Sequence, residues 1–147
     1  SAVMKDVYGD KKPFEVVGFD TCLMATVDTA NVFQNYASYM VASEETEPGN
    51  GWLYSGWLGK LAKNPAMNGA ELGKAICDSF KQGCKEVGTD AEITLSVTDL
   101  SKTPAIIDAL KNMGKVVLKK AEKVFILQTV KLWFINQNKL MLMIFLK

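Results

Sequence analysis

The chain has 147 residues, 48% of them hydrophobic, which suits one domain with a real core. Its 17 basic and 16 acidic side chains leave a net charge of +1, which argues against nucleic acid or an anionic membrane surface as a partner. Histidine and arginine are both absent, so the commonest general base is missing from this polypeptide. Residues 1–12 are polar and turn-rich, without a charged-then-apolar leader, so no secretory signal peptide is read there.

Phe14-Glu15-Val16-Val17-Gly18-Phe19 is a short apolar, β-branched run that predicts a buried strand of a parallel sheet. Gly18 and Asp20 loosen its end. From Leu23 the apolar positions (Leu23, Val27, Ala30, Phe33, Ala37) take helical spacing, which predicts a helix starting there. Cys22 would then lie where a strand ends and a helix begins, the place where open α/β sheets put their active sites. A helix N-terminus offers free N–H donors and partial positive charge, both favouring a thiolate. The Cys22 N–H would also be placed to meet a developing oxyanion. The plainer reading is a small, buried, inert cysteine.

Ser38 to Ser43 predicts a second strand, and a strand-helix-strand unit of this length favours a parallel crossover. The loop Ser43-Glu44-Glu45-Thr46-Glu47-Pro48-Gly49-Asn50-Gly51-Trp52 would therefore open beside Cys22. Its carboxylates, Glu45 and Glu47 among them, read either as a solvated turn or as part of a pocket for a cationic side chain. Asp20 is the better candidate for such a pocket, because a carboxylate at an apolar strand end is costly unless it meets a positive partner. Its rival role is structural, accepting backbone N–H bonds in the turn. Ser43 and Glu44 are secondary candidates. Trp52, Tyr54 and Trp57 read as core or loop anchors, with Trp52 the candidate to wall the pocket along a basic stem.

Ser55 to Lys63 predicts a short helix, and Asn68 caps a longer one with Glu71 at the capping-box position. On that helix Cys77 and Cys84 are two turns apart, roughly 10 Å, which excludes a disulfide between them. Three cysteines at such spacings fit neither a disulfide scaffold nor a zinc module. Glu92 to Thr98 alternates and predicts a third strand. Ser101 is expected to cap a final helix with Pro104 in its first turn and a lysine-rich outer face. Residues 126–147 are apolar but interrupted by Lys131, Asn136, Gln137, Asn138 and Lys139; no run approaches the roughly 20 residues that span a bilayer. Residues 1–125 therefore read as one domain and 126–147 as an atypical segment.

Gly18-Phe19-Asp20-Thr21-Cys22-Leu23-Met24-Ala25, followed by Tyr36 to Glu45 and Pro48-Gly49-Asn50-Gly51-Trp52-Leu53-Tyr54, resembles the clostripain family of cysteine peptidases, relatives of the caspases, legumains and gingipains. The resemblance runs from about Phe14 to Phe125, with Thr21 where that family usually has alanine. It implies a caspase-like three-layer αβα sandwich with a mainly parallel sheet, here without its upstream strands and with an unpaired edge in their place. It implies Cys22 as the catalytic nucleophile, attacking the carbonyl after Lys or Arg to give an acyl-enzyme, and Asp20 as the acid at the base of the pocket for the basic side chain. The catalytic histidine would lie on an upstream segment or chain, so Ser1 is either a processed end or the start of a fragment. Calcium activates some members, and the resemblance implies a secreted or cell-envelope bacterial protein acting on peptides or proteins. Two other readings stay open: a non-catalytic binding module of the same fold, and an inactive truncated product.

Overall fold

The computed structural model describes residues 2–123; the segment 126–147 set apart on composition lies outside them. In chain order the elements are α1 (Ala2–Tyr8), β1 (Phe14–Gly18), α2 (Val27–Phe33), β2 (Ala37–Ala42), α3 (Tyr54–Lys63), α4 (Gly69–Glu86), β3 (Ser96–Asp99), a 3-10 turn (Leu100–Lys102) and α5 (Thr103–Lys123). Contacts divide the chain into residues 1–105 and 106–147, and the sheet with its packed helices belongs to the first unit. In the second unit the described part is the lysine-rich remainder of α5.

The sheet has the order β1-β2-β3. β1 and β2 run parallel, with Val16 opposite Tyr39 and Gly18 opposite Val41. They therefore end on the same edge, as the spacing of the two strands requires. β3 is antiparallel to β2, with Val97 opposite Val41, so the described sheet is mixed rather than mainly parallel. β1 and β3 are its edges among the described residues.

Alternation along the strands separates two cores. On one face Met40, Ala42, Ala37 and Leu100 pack with Ala30 of α2, joined by Val17, Phe19 and Phe33. On the other, Val41 meets Ile76, Phe80 and Cys84 of α4 together with Trp52, joined by Val16 and Val97. The result is a three-layer α/β/α arrangement with the sheet in the middle. Ile93 and Leu95 face the α4 core in step with Val97, although hydrogen-bonded pairing begins only at Ser96. The alternation of Glu92 to Thr98 thus marked the facing correctly but made the strand too long.

Two helix starts differ from the sequence reading. α2 begins at Val27, not Leu23: Thr26 is its N-cap, accepting the Thr29 N–H at 3.0 Å. Residues 23–25 instead bond to the loop after β2, and Ala37 belongs to β2. Ser101 does not cap α5. It sits inside the 3-10 turn, donating its N–H to the Asp99 carboxylate at 2.9 Å, and α5 starts at Thr103. The Asn68 cap of α4 forms as read, with the reciprocal bond from the Asn68 N–H to the Glu71 carboxylate at 3.0 Å. Both Cys77 and Cys84 are free thiols.

α4 lies so close to the sheet that a Cβ on Gly73 would stand 2.7 and 2.8 Å from the two Val97 methyls. Such overpacking outweighs the helix propensity that alanine adds. Gly73→Ala is expected to lower the unfolding free energy by about 1–2 kcal/mol in urea titration, and adding Val97→Ala should recover part of that loss.

Candidate active site

At the shared end of β1 and β2 the chain turns twice, and the two turns are stitched together. After β1, Phe19 N–H still reaches the Val41 carbonyl at 2.9 Å. The turn through Cys22 then hydrogen-bonds to the loop after β2: Leu23 N–H to the Glu45 carbonyl at 3.1 Å and Ala25 N–H to the Ser43 carbonyl at 2.9 Å. Leu23 adopts φ 63°, the left-handed region that a bulky side chain enters only when its surroundings compel it. The residue after the candidate nucleophile is therefore in a strained conformation.

Cys22 is half-buried in this turn, four residues before the cap of α2, so the helix terminus does not supply its charge environment. A different donor does: the Glu47 N–H points at the Cys22 Sγ at 3.2 Å. The Cys22 N–H itself has no partner among the described residues. The other cysteines are less suited to nucleophilic chemistry. Cys84 is fully buried, and desolvation, reinforced by Asp78, pushes the Cys77 thiol up to about 11.

Asp20 holds the far end of the acidic loop. Its carboxylate accepts the Trp52 N–H, 3.1 and 3.2 Å from the two oxygens, and the Tyr54 hydroxyl at 3.0 Å. Its partners are an amide and a phenol rather than a cation, and it is exposed, so the desolvation expected at an apolar strand end does not drive its placement. The close approach depends on Gly51, which has φ 62° and where a Cβ would stand 3.2 Å from both Asp20 oxygens. Burial first, and then the Asp20 bond and charge, raise the Tyr54 pKa.

The other sequence candidates separate by burial. Ser43 is fully buried, and its hydroxyl bonds to the Thr94 hydroxyl at 2.9 Å and the Glu45 carbonyl at 3.0 Å, so the side chain anchors the loop. Glu44 is exposed on the same loop. Trp52 is 7% exposed, its ring inside the α4 core beside Gly18.

Glu47 does not stand out from the other loop acids in the sequence, yet it joins the two halves of the site. Its backbone donates to Cys22, and both its carboxyl oxygens are buried without a hydrogen-bond donor. Burial, then the charge of the neighbouring Asp20 carboxylate, push the Glu47 carboxyl up to about 7.

A polar cleft of about 500 Å³, lined by Lys5, Gly9, Asp10, Lys12, Gln34, Asn35 and Tyr36, lies at the opposite end of the strands, away from Cys22. Among the described residues no three His, Cys, Asp or Glu side chains converge. No described helix is long and apolar enough to cross a membrane.

The Glu47 shift has a sign. The folded state holds a proton that the unfolded chain releases near 4.5, so stability falls as pH rises from 4.5 to about 7 and is level above. Allowing for screening by the adjacent solvent, the fall should be about 1–2 kcal/mol in urea unfolding. Glu47→Gln should flatten it.

No curated protein matches the chain. Among solved structures it is similar to a clostripain from Bacteroides thetaiotaomicron in complex with the peptide inhibitor BTN-VLTK-AOMK, at 23% identity and TM-score 0.51, covering 62% of this chain and 38% of that one. It is also similar to an inactive zymogen protease of the same family from Parabacteroides distasonis, at 21% identity and TM-score 0.52, over 65% of this chain and 25% of that one. A secreted cysteine protease from Bacteroides thetaiotaomicron, "iotapain", aligns at 21% identity and TM-score 0.57, over 70% and 27%. The chain thus spans between a quarter and two-fifths of the length of these proteins, and the likeness is one of fold. The sequence profile of the clostripain family matches residues 2–141, and the chain belongs to that family of cysteine peptidases.

Proposed function

We propose that this chain is the cysteine-bearing part of an endopeptidase that cuts after Lys or Arg, with Cys22 as nucleophile and Asp20 recognising the basic side chain. The observation that carries the reading is the turn at Cys22: a half-buried sulfur beside a strained residue, approached by the Glu47 N–H, with its own N–H unpaired among the described residues. The sulfur attacks the scissile carbonyl carbon and a C–S bond forms. The Cys22 N–H is the donor available for the oxyanion that develops. Collapse breaks the C–N bond, the amine leaves with a proton, and water then hydrolyses the thioester.

In this reading the proton is handled by a histidine supplied by a segment or chain outside this sequence, which itself contains none. Asp20 accepts three hydrogen-bond contacts from two donors, which leaves lone pairs for a cation. The lysine-containing inhibitor bound by the Bacteroides clostripain supports a basic preference. The secreted and zymogen relatives support an exported, processed bacterial protein acting on peptides or proteins.

The absence of histidine also favours a second reading, a binding module that keeps the pocket without the chemistry. A lysyl chloromethyl ketone separates the two when applied to the full-length protein. The peptidase reading expects alkylation at Cys22, read by peptide mass mapping, and none in Cys22→Ala. Asp20→Asn should slow that labelling by about ten- to a hundredfold, the effect of losing one charge-assisted contact, while iodoacetamide labelling changes little. No labelling at Cys22, or equal labelling with Asp20→Asn, would overturn the peptidase reading.

A further inference from the structure

The fold provides donors for Asp20 but not for its neighbour. Both Glu47 oxygens are buried without a donor, and no cationic side chain among the described residues forms an ion pair with either acid. The groups around the Glu47 carboxyl are the Asp20 carboxylate, the Tyr54 phenol, which also senses the Glu47 charge, and the Trp52 indole N–H, which has no hydrogen-bond partner among the described residues. On the other side of the residue, its backbone N–H lies against the Cys22 thiol. A carboxyl so placed, against a second carboxylate, is stable with a proton on it, and the two acids have no cationic partner among the described residues.

We propose that Glu47 is a second specificity-determining acid of the same pocket: a basic side chain entering beside Asp20 displaces the proton held by Glu47 and pairs with both carboxylates. The inference rests on the peptidase reading and deepens it. Charge and protons balance. The empty pair carries one proton and one negative charge; on binding, that proton goes to solvent, and two negative charges face the incoming positive one. Below about pH 7 each binding event must expel this proton, so selectivity for a basic side chain increases with pH and levels off above it.

The test compares alkylation of Cys22 in the full-length protein by lysyl and norleucyl chloromethyl ketones between about pH 5 and pH 8. The ratio of the two rates reports the pocket, because titration of the thiol and any change in its reactivity affect both labels alike. In the wild type the ratio should rise at least about tenfold across this range, approaching tenfold per pH unit well below the transition. In Glu47→Gln it should be flat with pH and at least about fivefold below the wild type at pH 8, the loss of one charged contact. A ratio in Glu47→Gln that matches the wild type in height and pH dependence would overturn the role given to Glu47. So would both labels slowing in step, which marks a residue that only positions the sulfur. A wild type that never prefers the lysyl label would instead remove the basic-pocket reading itself, so the two failures are distinguishable.

Discussion

The site depends on the joining of two loops at one end of a parallel strand pair. No hairpin links the strands of a parallel pair, so the chain leaving β1 and the chain leaving β2 are free to diverge. Here they are held together at three points: Leu23 and Ala25 on the carbonyls of Glu45 and Ser43, Cys22 on the Glu47 N–H, and Asp20 on the Trp52 N–H and Tyr54 hydroxyl. Most of these contacts pair a backbone N–H of one loop with an acceptor on the other. Loosening any of them would move sulfur and carboxylates apart.

Rigid elements anchor this assembly from below. Trp52 carries its ring into the core formed by Val41, Ile76, Phe80 and Cys84, so the loop that begins at Ser43 ends in the hydrophobic interior. Ser43, fully buried and bonded to Thr94, fixes the start of the same loop to the segment entering β3. A site whose chemistry sits on loops needs such anchoring to hold its geometry. The left-handed Leu23 is tolerated for the same reason: its N–H is fixed to Glu45, and the neighbouring bonds over-determine the turn.

Charge is distributed unevenly among the acids of the two loops. Glu44 faces solvent, Asp20 is solvated but held by two donors, and Glu47 has burial without donors. Environment rather than residue type sets Glu47 apart, its carboxyl pKa raised by burial and then by the Asp20 charge. That difference makes the loop more than a patch of negative charge.

Periodicity and local chemistry determined a good deal by themselves. The apolar run to Gly18 gave β1, though as a half-exposed edge strand rather than the buried one expected; the Asn68/Glu71 pair gave the start of α4, and the motifs around Cys22 and Trp52 gave the family, because these signals are short-range and complete within the residues that carry them. Helical spacing from Leu23 misled, since Leu23 and Ala25 give their N–H groups to a loop more than fifteen residues away, and the Thr26 cap rather than the apolar stripe sets where α2 starts. The sense of β3 and the burial of Trp52 and Ser43 were likewise decided only in three dimensions. So was the protonation of Glu47: a carboxyl's ionisation depends on what surrounds it, and its neighbour Asp20 is distant along the chain but adjacent in the fold.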